Sequence, residues 1–293
     1  MKIFLTGGSG FIGRNIIEDL SVRHTILAPT HKELDLLDDG AVRSFMKQNT
    51  VDVVVHSAIK PAHRNAKDFS DILYSNARMY FNLVRNADSF GKMLYLGSGL
   101  CYDMRHYMPK MKEEYFDRHV PADDAGFAKY ICSKHCENST KIIDLRAFGV
   151  FGKYEDYAIR FISNAICKTL FDLPVTLKQN RKFDYIYIHD LVRIIELFML
   201  NDIKDKSYNI TPDNSISLLE IAEMVVDVSG KHGFPVVVME KDMGTEYSGD
   251  NGRFRQAFRD FEFTPVKQAI AGLYAFYANN IGSLNKAVLL QDK

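Results

Sequence analysis

Short apolar runs and helical periods alternate along the first half of the chain. Runs rich in β-branched residues, typical of strands, cover residues 3–6, 25–28, 51–56, 93–97 and 142–146. Apolar residues recur at helical spacing over residues 11–20, 39–48, 68–90 and 125–140. The third and fourth strands, "VDVVVHSA" and "KMLYLGSG", are almost continuously apolar, as strands buried on both faces are. Such strands separated by helices predict an α/β fold with a doubly wound parallel sheet.

The pattern changes after Arg146. A glycine-broken aromatic stretch, "AFGVFGKYED", leads into a helical period over residues 157–170, and the apolar runs "PVTLK" and "FDYIYI" follow. The helical segments "HDLVRIIELFML" and "SLLEIAEMVVDVS" come next, and a last helix is predicted over residues 265–279. We therefore predict two domains. Residues 1–150 form the first, to which residues 181–206 return, and residues 151–180 and 207–293 form a smaller α/β domain.

Composition and charge narrow the classes of function. The 293 residues carry 37 Lys and Arg and 37 Asp and Glu, a net charge of zero, so we expect neither nucleic acid nor a membrane as a partner. No apolar stretch reaches the length of a membrane span, and the first predicted strand follows Met1 directly, so we expect a cytoplasmic protein. The 4 cysteines are too scattered for a disulfide framework. Cys132 and Cys136 have no second ligand pair, so buried thiols are expected rather than a metal site.

The stretch "LTGGSGFIGR" lies between a predicted strand and a predicted helix. Gly7, Gly10 and Gly13 fit a dinucleotide-binding turn, in which glycines make the turn, admit a pyrophosphate and let the helix lie close to the sheet. The spacing is Gly-x-x-Gly-x-x-Gly rather than Gly-x-Gly-x-x-Gly, so a plain glycine-rich turn is an equal alternative. In the dinucleotide interpretation, Phe11 and Ile12 also border the cofactor.

A second candidate for chemistry is the segment "KYICSK". Tyr130 and Lys134 are four residues apart, which puts them on one face of a helix, and an ammonium beside a phenol lowers the phenol pKa. Ser98 follows the apolar strand "MLYL", at the edge of a parallel sheet where ligands bind. These residues would form an acid–base site. The alternatives are a surface Tyr–Lys pair and a serine that only forms a turn.

Together these motifs resemble the extended short-chain dehydrogenase/reductase family, whose members act on nucleotide-linked sugars. The resemblance runs from "TGGSGFIGR" to about "FTPVKQAI" and is closest to the branch of GDP-fucose synthase and dTDP-4-dehydrorhamnose reductase. It implies a Rossmann dinucleotide-binding domain followed by a substrate-binding domain, with Ser98, Tyr130 and Lys134 as catalytic residues. It also implies a homodimer that forms through the helices at residues 68–90 and 125–140.

Further matches to the family indicate residues at the cofactor. "VVVHSA" is similar to the family's strand end beside the cofactor, which implies that His56, Ser57 and Ala58 line it. Asn76, in "YSNARMYFNLV", matches an Asn of the family's active-site helix. These positions extend the expected cofactor site beyond the glycine turn.

Several departures from the family bear on the substrate. Gly99 and Leu100 stand where the dehydratases carry an acidic pair, so dehydration is not expected. Leu100 and Arg160 stand where GDP-fucose synthases carry the Cys and His of epimerisation, so we expect only the reductase half of that reaction. Gly149 replaces an Asn, and Phe183 replaces a basic residue, both on the side of the sugar nucleotide. The residues expected to contact the substrate are Gly99, Leu100, Gly149, Arg160 and Arg181.

The cofactor is expected to be NADP or NAD. NAD-preferring folds carry an acidic residue at the end of the second strand, whereas this strand ends in "APTHK". Arg14, Thr30 and Lys32 would suit a 2′-phosphate, which favours NADP, although the same residues could simply be solvated. Asp35 and Leu36 match the family's contact with adenine.

Three functions remain open. The first is a reductase that converts a 4-keto nucleotide sugar to the 4-hydroxy sugar with NADPH. In it, Ser98 would bind the carbonyl oxygen, Tyr130 would protonate it, and Lys134 would lower the tyrosine pKa and hold the nicotinamide ribose. The second is a 4-epimerase with tightly bound NAD, and the third is a cofactor-binding regulatory protein. The missing acid after the second strand favours the reductase over the epimerase, and the Ser98, Tyr130 and Lys134 set speaks against the regulatory protein.

Overall fold

A computed structural model describes residues 1–291 of the chain. Its strands are β1 (Lys2–Thr6), β2 (Thr25–Leu27), β3 (Val51–His56), β4 (Phe90–Ser98), β5 (Ile142–Ala147), β6 (Gly149–Phe151), β7 (Val175–Gln179), β8 (Lys182–Phe183), β9 (Tyr185–Tyr187), β10 (Ser207–Ile210), β11 (Ile216–Ser217) and β12 (Val236–Glu240). Its α-helices are α1 (Phe11–Leu20), α2 (Asp39–Gln48), α3 (Ile72–Val84), α4 (Asp124–Glu137), α5 (Phe161–Leu170), α6 (Ile188–Leu200), α7 (Leu218–Ser229), α8 (Gly252–Ala257), α9 (Val266–Asn279) and α10 (Lys286–Leu289).

The core of the fold is a six-stranded parallel sheet in the order β2–β1–β3–β4–β5–β10. Its central strands are apolar because helices cover both faces. α1 and α6 lie on one face, where Ile16 and Phe198 are buried. α2, α3 and α4 cover the other face through Met46, Leu83 and Cys132. The predicted α/β fold, a doubly wound Rossmann sheet, is confirmed.

A smaller unit lies beside the sheet. α5, α7, α9 and α10 pack around a core that includes Ile166, Val225 and Leu273. Short strand pairs border this core: β7 with β12 and β6 with β9 run parallel, and β8 with β11 runs antiparallel.

Two segments of the predicted second domain lie with the first. β10 pairs with β5 at the edge of the large sheet, and Phe254 and Phe261 are buried in the same cluster as Phe198 of α6. Pairing at the sheet edge satisfies the backbone groups of the buried "SYNI" strand and covers an otherwise exposed edge. Residues 207–210 and 252–263 therefore belong with the sheet, so the boundary predicted at residue 207 comes too early.

The described part of the chain contains neither a membrane span nor a metal cluster. Within residues 1–291, no helix combines the length and the apolar character needed to cross a membrane. The same residues contain no group of three or more His, Cys, Asp or Glu side chains suited to a metal ion. The cysteines Cys101, Cys132, Cys136 and Cys167 are free and buried.

Candidate active site

The loop between β1 and α1 makes a tight turn at the carboxyl edge of the sheet. Gly7 has a φ of +72°, a left-handed conformation that glycine adopts without steric cost, and the Gly10 N–H donates to the Gly7 carbonyl at 3.0 Å. A side chain at Gly13 would overlap that carbonyl oxygen, so α1 lies directly against the turn. The free N–H groups at the start of α1 therefore point to this turn. Such a helix end attracts an anionic diphosphate.

A groove of about 700 Å³ runs along this turn, within the size range of ligand sites. Gly10 is exposed to it, and a Cβ there would lie 3.3 Å from the Gly7 carbonyl oxygen. Pro29 and His31, which no motif indicated, also line the groove. Many of the residues predicted to bind the cofactor lie in its walls, namely Gly7, Gly10, Phe11, Ile12, Asp35, Leu36, Ser57 and Ala58.

A small cavity of about 40 Å³ adjoins the groove and shares Ala58, Ile59 and Lys60 with it. The sheet, α3, α4 and the segment after β4 supply its other walls, which include His56, Tyr95, Asn76, Leu100, Ala125, Ala128 and Lys129. The carboxyl ends of β3 and β4 meet here, which is where open parallel sheets bind ligands. The small cavity is thus the inner end of the groove.

Thr6 holds the end of β3 against the glycine turn. Its Oγ1 lies 2.8 Å from His56 Nδ1 and accepts from the backbone N–H groups of Ser57 at 3.2 Å and Ala58 at 3.1 Å. Burial, and to a smaller extent the Lys129 charge, lower the pKa of His56 to about 3, so its ring is neutral at physiological pH. His56 therefore helps to position the loop after β3 as a neutral imidazole.

Asn76 of α3 fixes the loop at the junction of groove and cavity. Its Oδ1 accepts from Lys60 N at 2.8 Å, and its Nδ2 donates to Lys60 O at 3.1 Å and to Ile72 O at 2.9 Å. The amide thereby pairs both backbone groups of Lys60. Its position in the cavity wall is compatible with the predicted place beside the cofactor.

The side of α4 that faces the small cavity carries Ala125, Ala128 and Lys129. Lys129 Nζ donates to the Leu96 carbonyl oxygen at 2.8 Å and lies 4.9 Å from the centre of the Tyr95 ring. Burial lowers the pKa of Lys129. Ala125 and Lys129 have the four-residue spacing of the predicted Tyr–Lys pair, but the first position is an alanine.

The structure does not bring Tyr130 and Lys134 to the cavity. Successive helical residues lie about 100° apart, so these two residues point away from the side of α4 that carries Ala125. The Tyr130 hydroxyl donates to Asp117, and Lys134 Nζ lies 2.6 Å from the same carboxylate. The hydrogen bond to Asp117 raises the pKa of Tyr130, opposite to the predicted lowering. This geometry corresponds to a surface Tyr–Lys pair and corrects the predicted catalytic assignment.

Ser98 ends β4, two residues before Leu100 of the cavity wall. Its Oγ accepts from Leu100 N at 3.2 Å. The Tyr247 side chain lies near this strand end, and burial raises its pKa. A Cβ at Gly99 would lie 2.5 Å from Tyr247 Oη, so the glycine leaves room for this phenol. Tyr247 comes from a distant part of the chain, and no motif indicated it.

The other residues predicted to contact the substrate have different surroundings. Gly149 donates its N–H to Asp184 O at 3.0 Å, and a Cβ at Gly149 would lie 2.5 Å from the same oxygen. Arg181 Nη2 donates to Gln179 Oε1 at 3.1 Å. Two of the predicted substrate residues stand in the cavity walls, Leu100 in the small cavity and Arg160 in the groove.

Arg14 and Thr30, two of the three residues predicted to bind a 2′-phosphate, contact other side chains. The Arg14 guanidinium lies 3.5 Å from the centre of the Tyr154 ring, and the Thr30 hydroxyl donates to Glu33 at 2.9 Å. Arg14 and Thr30 therefore already have partners of their own. Lys32, the third predicted residue, is exposed, and the neighbouring His31 lines the groove.

A family model matches most of the chain. The model of the NAD dependent epimerase/dehydratase family covers residues 3–211. Among curated proteins, GDP-L-colitose synthase of Yersinia pseudotuberculosis is 22% identical over 83% of this chain and 87% of its own length. GDP-L-fucose synthase of Azorhizobium caulinodans is 24% identical over 83% of this chain and 85% of its own length.

Solved structures share the fold. GDP-mannoheptose C4 reductase MlghC of Campylobacter jejuni, with NADP bound, gives a TM-score of 0.79 at 23% identity and covers 94% of this chain and 98% of its own. A GDP-L-fucose synthetase of Naegleria fowleri gives 0.80 at 17% identity and covers 97% and 95%. UDP-glucose 4-epimerase of Thermotoga maritima gives 0.79 at 17% identity and covers 96% and 100%. At these identities the likeness establishes the fold.

Proposed function

Because the chain belongs to the NAD-dependent epimerase/dehydratase family, we propose that it is an NADP-dependent reductase of a nucleotide-linked sugar, with a 4-keto sugar as substrate. The observation that carries this proposal is the junction of two cavities. A groove of about 700 Å³ leads from the glycine turn to a small cavity that is lined by Lys129 and by Leu100, two residues after Ser98. The names of the relatives, a GDP-L-fucose synthase and a GDP-mannoheptose C4 reductase with NADP bound, support the same class of substrate and cofactor.

The residues of the groove fit a dinucleotide. The N–H groups at the start of α1 would bind the diphosphate, and Gly10 leaves room for it. Asp35 and Leu36 would border the adenosine, and Ala58 the middle of the cofactor. Lys129 would donate to ribose hydroxyls at the inner end. When bound, the cofactor supplies a hydride to the substrate carbonyl carbon.

Ser98 and Lys129 would act on the substrate side. A carbonyl group that accepts a hydride gains negative charge on its oxygen, and donors already aimed at that oxygen lower the barrier. Ser98 presents a hydroxyl at the end of β4, and Lys129 supplies a positive charge to the adjoining cavity. These two residues take the roles of carbonyl binding and charge stabilisation that the motifs had given to Ser98 and Lys134.

Ala125 favours a second candidate, a protein that binds the cofactor without turnover. Of Ser98, Tyr130 and Lys134, the residues that spoke against this candidate, the last two instead bind Asp117 on the far side of α4. The 4-epimerase also remains a candidate, and UDP-glucose 4-epimerase shares the fold. The three candidates differ in what they do with NADPH.

Purified protein mixed with NADPH and a panel of 4-keto nucleotide sugars separates the three candidates. A reductase is expected to consume NADPH in proportion to the 4-hydroxy sugar that it forms. An epimerase would retain NAD through dialysis and interconvert 4-hydroxy sugars without net consumption of NADPH. A protein that binds NADPH and converts none of the sugars would be the non-enzymatic candidate.

NADPH is expected to bind more tightly than NADH. His31→Ala and Lys32→Ala should each reduce the ratio of NADPH affinity to NADH affinity by about tenfold. A hydrogen bond to a charged group contributes about 1.5–3 kcal/mol, and about 1.4 kcal/mol corresponds to a tenfold change in affinity. Titration followed by cofactor fluorescence measures both affinities. Lys47→Ala, on the exposed side of α2, is the matched control. Equal affinities of the unmodified protein for NADPH and NADH would contradict the preference.

The resemblance further supports a cytoplasmic homodimer as part of this proposal. α3 and α4 pack side by side on the same face of the sheet, and Tyr74 of α3 is 61% exposed. A second copy of the chain would cover this side of the helices. The mass of the protein in solution tests the dimer.

A further inference from the structure

The connection from β3 to α3, residues 57–71, is long and contains no helix or strand. Most connections in compact domains have about four to six residues, and much longer ones usually serve as lids or binding loops. Residues 59–70, which we call the strap, are described in full, and none of them is buried in the core. The strap nevertheless contributes to the wall of the groove, through Ile59, Lys60, Pro61 and His63.

The two ends of the strap are tied together. Lys60 Nζ lies 2.6 Å from Asp68 Oδ2, and Asp68 Oδ1 accepts from Ser70 N at 2.8 Å. The backbone of Lys60 is in turn paired with Asn76 of α3. Surface loops whose ends lie close together are frequently functional. The strap is thus a loop that is closed at its base and anchored to α3.

The middle of the strap is attached to the smaller unit. Arg64 Nη2 donates to Ile159 O at 3.3 Å, and Asn65 Nδ2 donates to Asp156 Oδ2 at 2.8 Å. These two hydrogen bonds, which we call the latch, join the strap to the segment before α5. The last residue of that segment, Arg160, also lines the groove. The latch therefore connects two walls of the groove.

The latch can open at small cost. Arg64 is exposed, and Asn65 and Asp156 are half-buried, so water can replace their hydrogen bonds, whose net contribution is then small. Segments with few buried apolar contacts are the ones that open locally. The Asp156 carboxylate is held from its own side, because its Oδ1 accepts from Ala158 N at 3.0 Å. The strap is therefore the part that moves.

We propose that the strap is a lid on the cofactor groove and that the latch must open before a dinucleotide enters or leaves. The inference rests on the proposed binding of NADPH in the groove. With the latch closed, the strap and Arg160 border the groove from two sides and shield a bound dinucleotide from solvent there. With the latch open, the strap pivots about its base at Lys60 and Asp68.

The latch controls rates more than affinity. The same two hydrogen bonds close the strap with and without a ligand, so their loss speeds entry and release alike. The ratio of the two rate constants, which sets the affinity, changes little. Lid opening of this kind limits ligand release in many enzymes. A residue that bound the cofactor directly would instead change the dissociation rate constant and the affinity together.

The double substitution Arg64→Ala and Asn65→Ala removes the latch. The association and dissociation rate constants of NADPH, measured by stopped-flow fluorescence, are each expected to rise about tenfold, the effect of one or two surface hydrogen bonds. The affinity should change by less than about threefold. Lys67→Ala, which removes a positive charge from an exposed position of the same strap, is the matched control and should change neither rate constant. The midpoint of thermal unfolding shows whether each variant is folded.

A cross-link across the latch should have the opposite effect. The native cysteines are free and buried, so a short bismaleimide reacts with the pair introduced by Asn65→Cys and Asp156→Cys. Protein that is linked before NADPH is added should bind it at least about tenfold more slowly. Protein that is linked after loading should retain NADPH through dialysis. The same double-cysteine variant without the linker is the control.

Each outcome decides for or against the latch. Unchanged rate constants in the double alanine variant, or linked protein that exchanges NADPH as fast as unlinked protein, would overturn it. A large loss of affinity with an unchanged association rate constant would also overturn it, because Arg64 or Asn65 would then be a direct ligand of the cofactor. An unmodified protein that binds no NADPH would instead overturn the proposed function.

Discussion

Gly10→Val is expected to weaken NADPH binding by about 100-fold or more and to leave the fold intact. Gly10 faces the groove at the start of α1, and the first side-chain atom would already stand 3.3 Å from the Gly7 carbonyl. The valine methyl groups would extend into the space that a diphosphate needs against the helix N–H groups. Hydrogen bonds to a charged group contribute about 1.5–3 kcal/mol each, so the loss of one or two amounts to about two orders of magnitude.

Gly40→Val is the matched control for this change. Gly40 is exposed in the first turn of α2, and its Cβ would also have one close neighbour, Asp38 Oδ1 at 3.3 Å. The same glycine-to-valine change at a helix start, away from the groove, should leave NADPH affinity unchanged. Cofactor fluorescence measures the affinity and thermal unfolding measures the fold. Undiminished affinity in Gly10→Val would mean that the diphosphate binds elsewhere.

Lys129→Met is expected to lower kcat by about 100–1,000-fold, the usual cost of removing a preorganised donor from an active site. Methionine keeps most of the side-chain volume but removes the charge from the small cavity. It also leaves the Leu96 carbonyl without the donor that it has at 2.8 Å. NADPH affinity should fall by about tenfold, because an ammonium that can reach the ribose hydroxyls is lost.

Lys134→Met distinguishes the two lysines of α4. Lys134 forms exposed ion pairs with Asp117 and Glu137, and exposed pairs contribute about 0.2–1 kcal/mol to stability. Its substitution is expected to leave kcat and NADPH affinity close to those of the unmodified protein. If Lys134→Met abolished reduction and Lys129→Met did not, the assignment from the Tyr-x-x-x-Lys motif would be right and the present one wrong.

The sheet and the glycine turn could be predicted because their signals are local. Apolar runs of strand length predict β1, β3, β4 and β5. The turn at Gly7, which has a positive φ, depends only on the residues next to it in the chain. The helix predicted over residues 68–90 is shorter, since α3 starts after Asp71, which has a left-handed φ of 50°. Such a local break has no hydrophobic signal in the sequence.

The face of α4 could also have been read from the sequence. A spacing of four fits Tyr130 with Lys134 and Ala125 with Lys129 equally well, because it fixes separation and not direction. The buried positions of α4 include Ala128, Cys132 and Cys136, a stripe of small apolar residues at helical spacing. That stripe marks the side that faces the sheet and places Lys129, rather than Lys134, beside it.

Other features of the site depend on contacts between distant parts of the chain. Thr6 of β1 contacts His56 of the neighbouring strand β3, and Tyr247, from a loop after β12, lies beside Gly99. β10 joins the sheet although the residues before and after it belong to other layers. No local pattern encodes such pairings, because the packing of the complete fold selects them.

The fate of a deuterium label tests the reductase function most directly. NADPH with deuterium at the transferable position is incubated with the protein and a 4-keto nucleotide sugar, and the products are analysed by mass spectrometry and NMR. One deuterium atom is expected at C4 of the sugar for every NADP formed. A sugar that is converted without acquiring deuterium, or NADPH that keeps its label in the presence of the sugar, would contradict it.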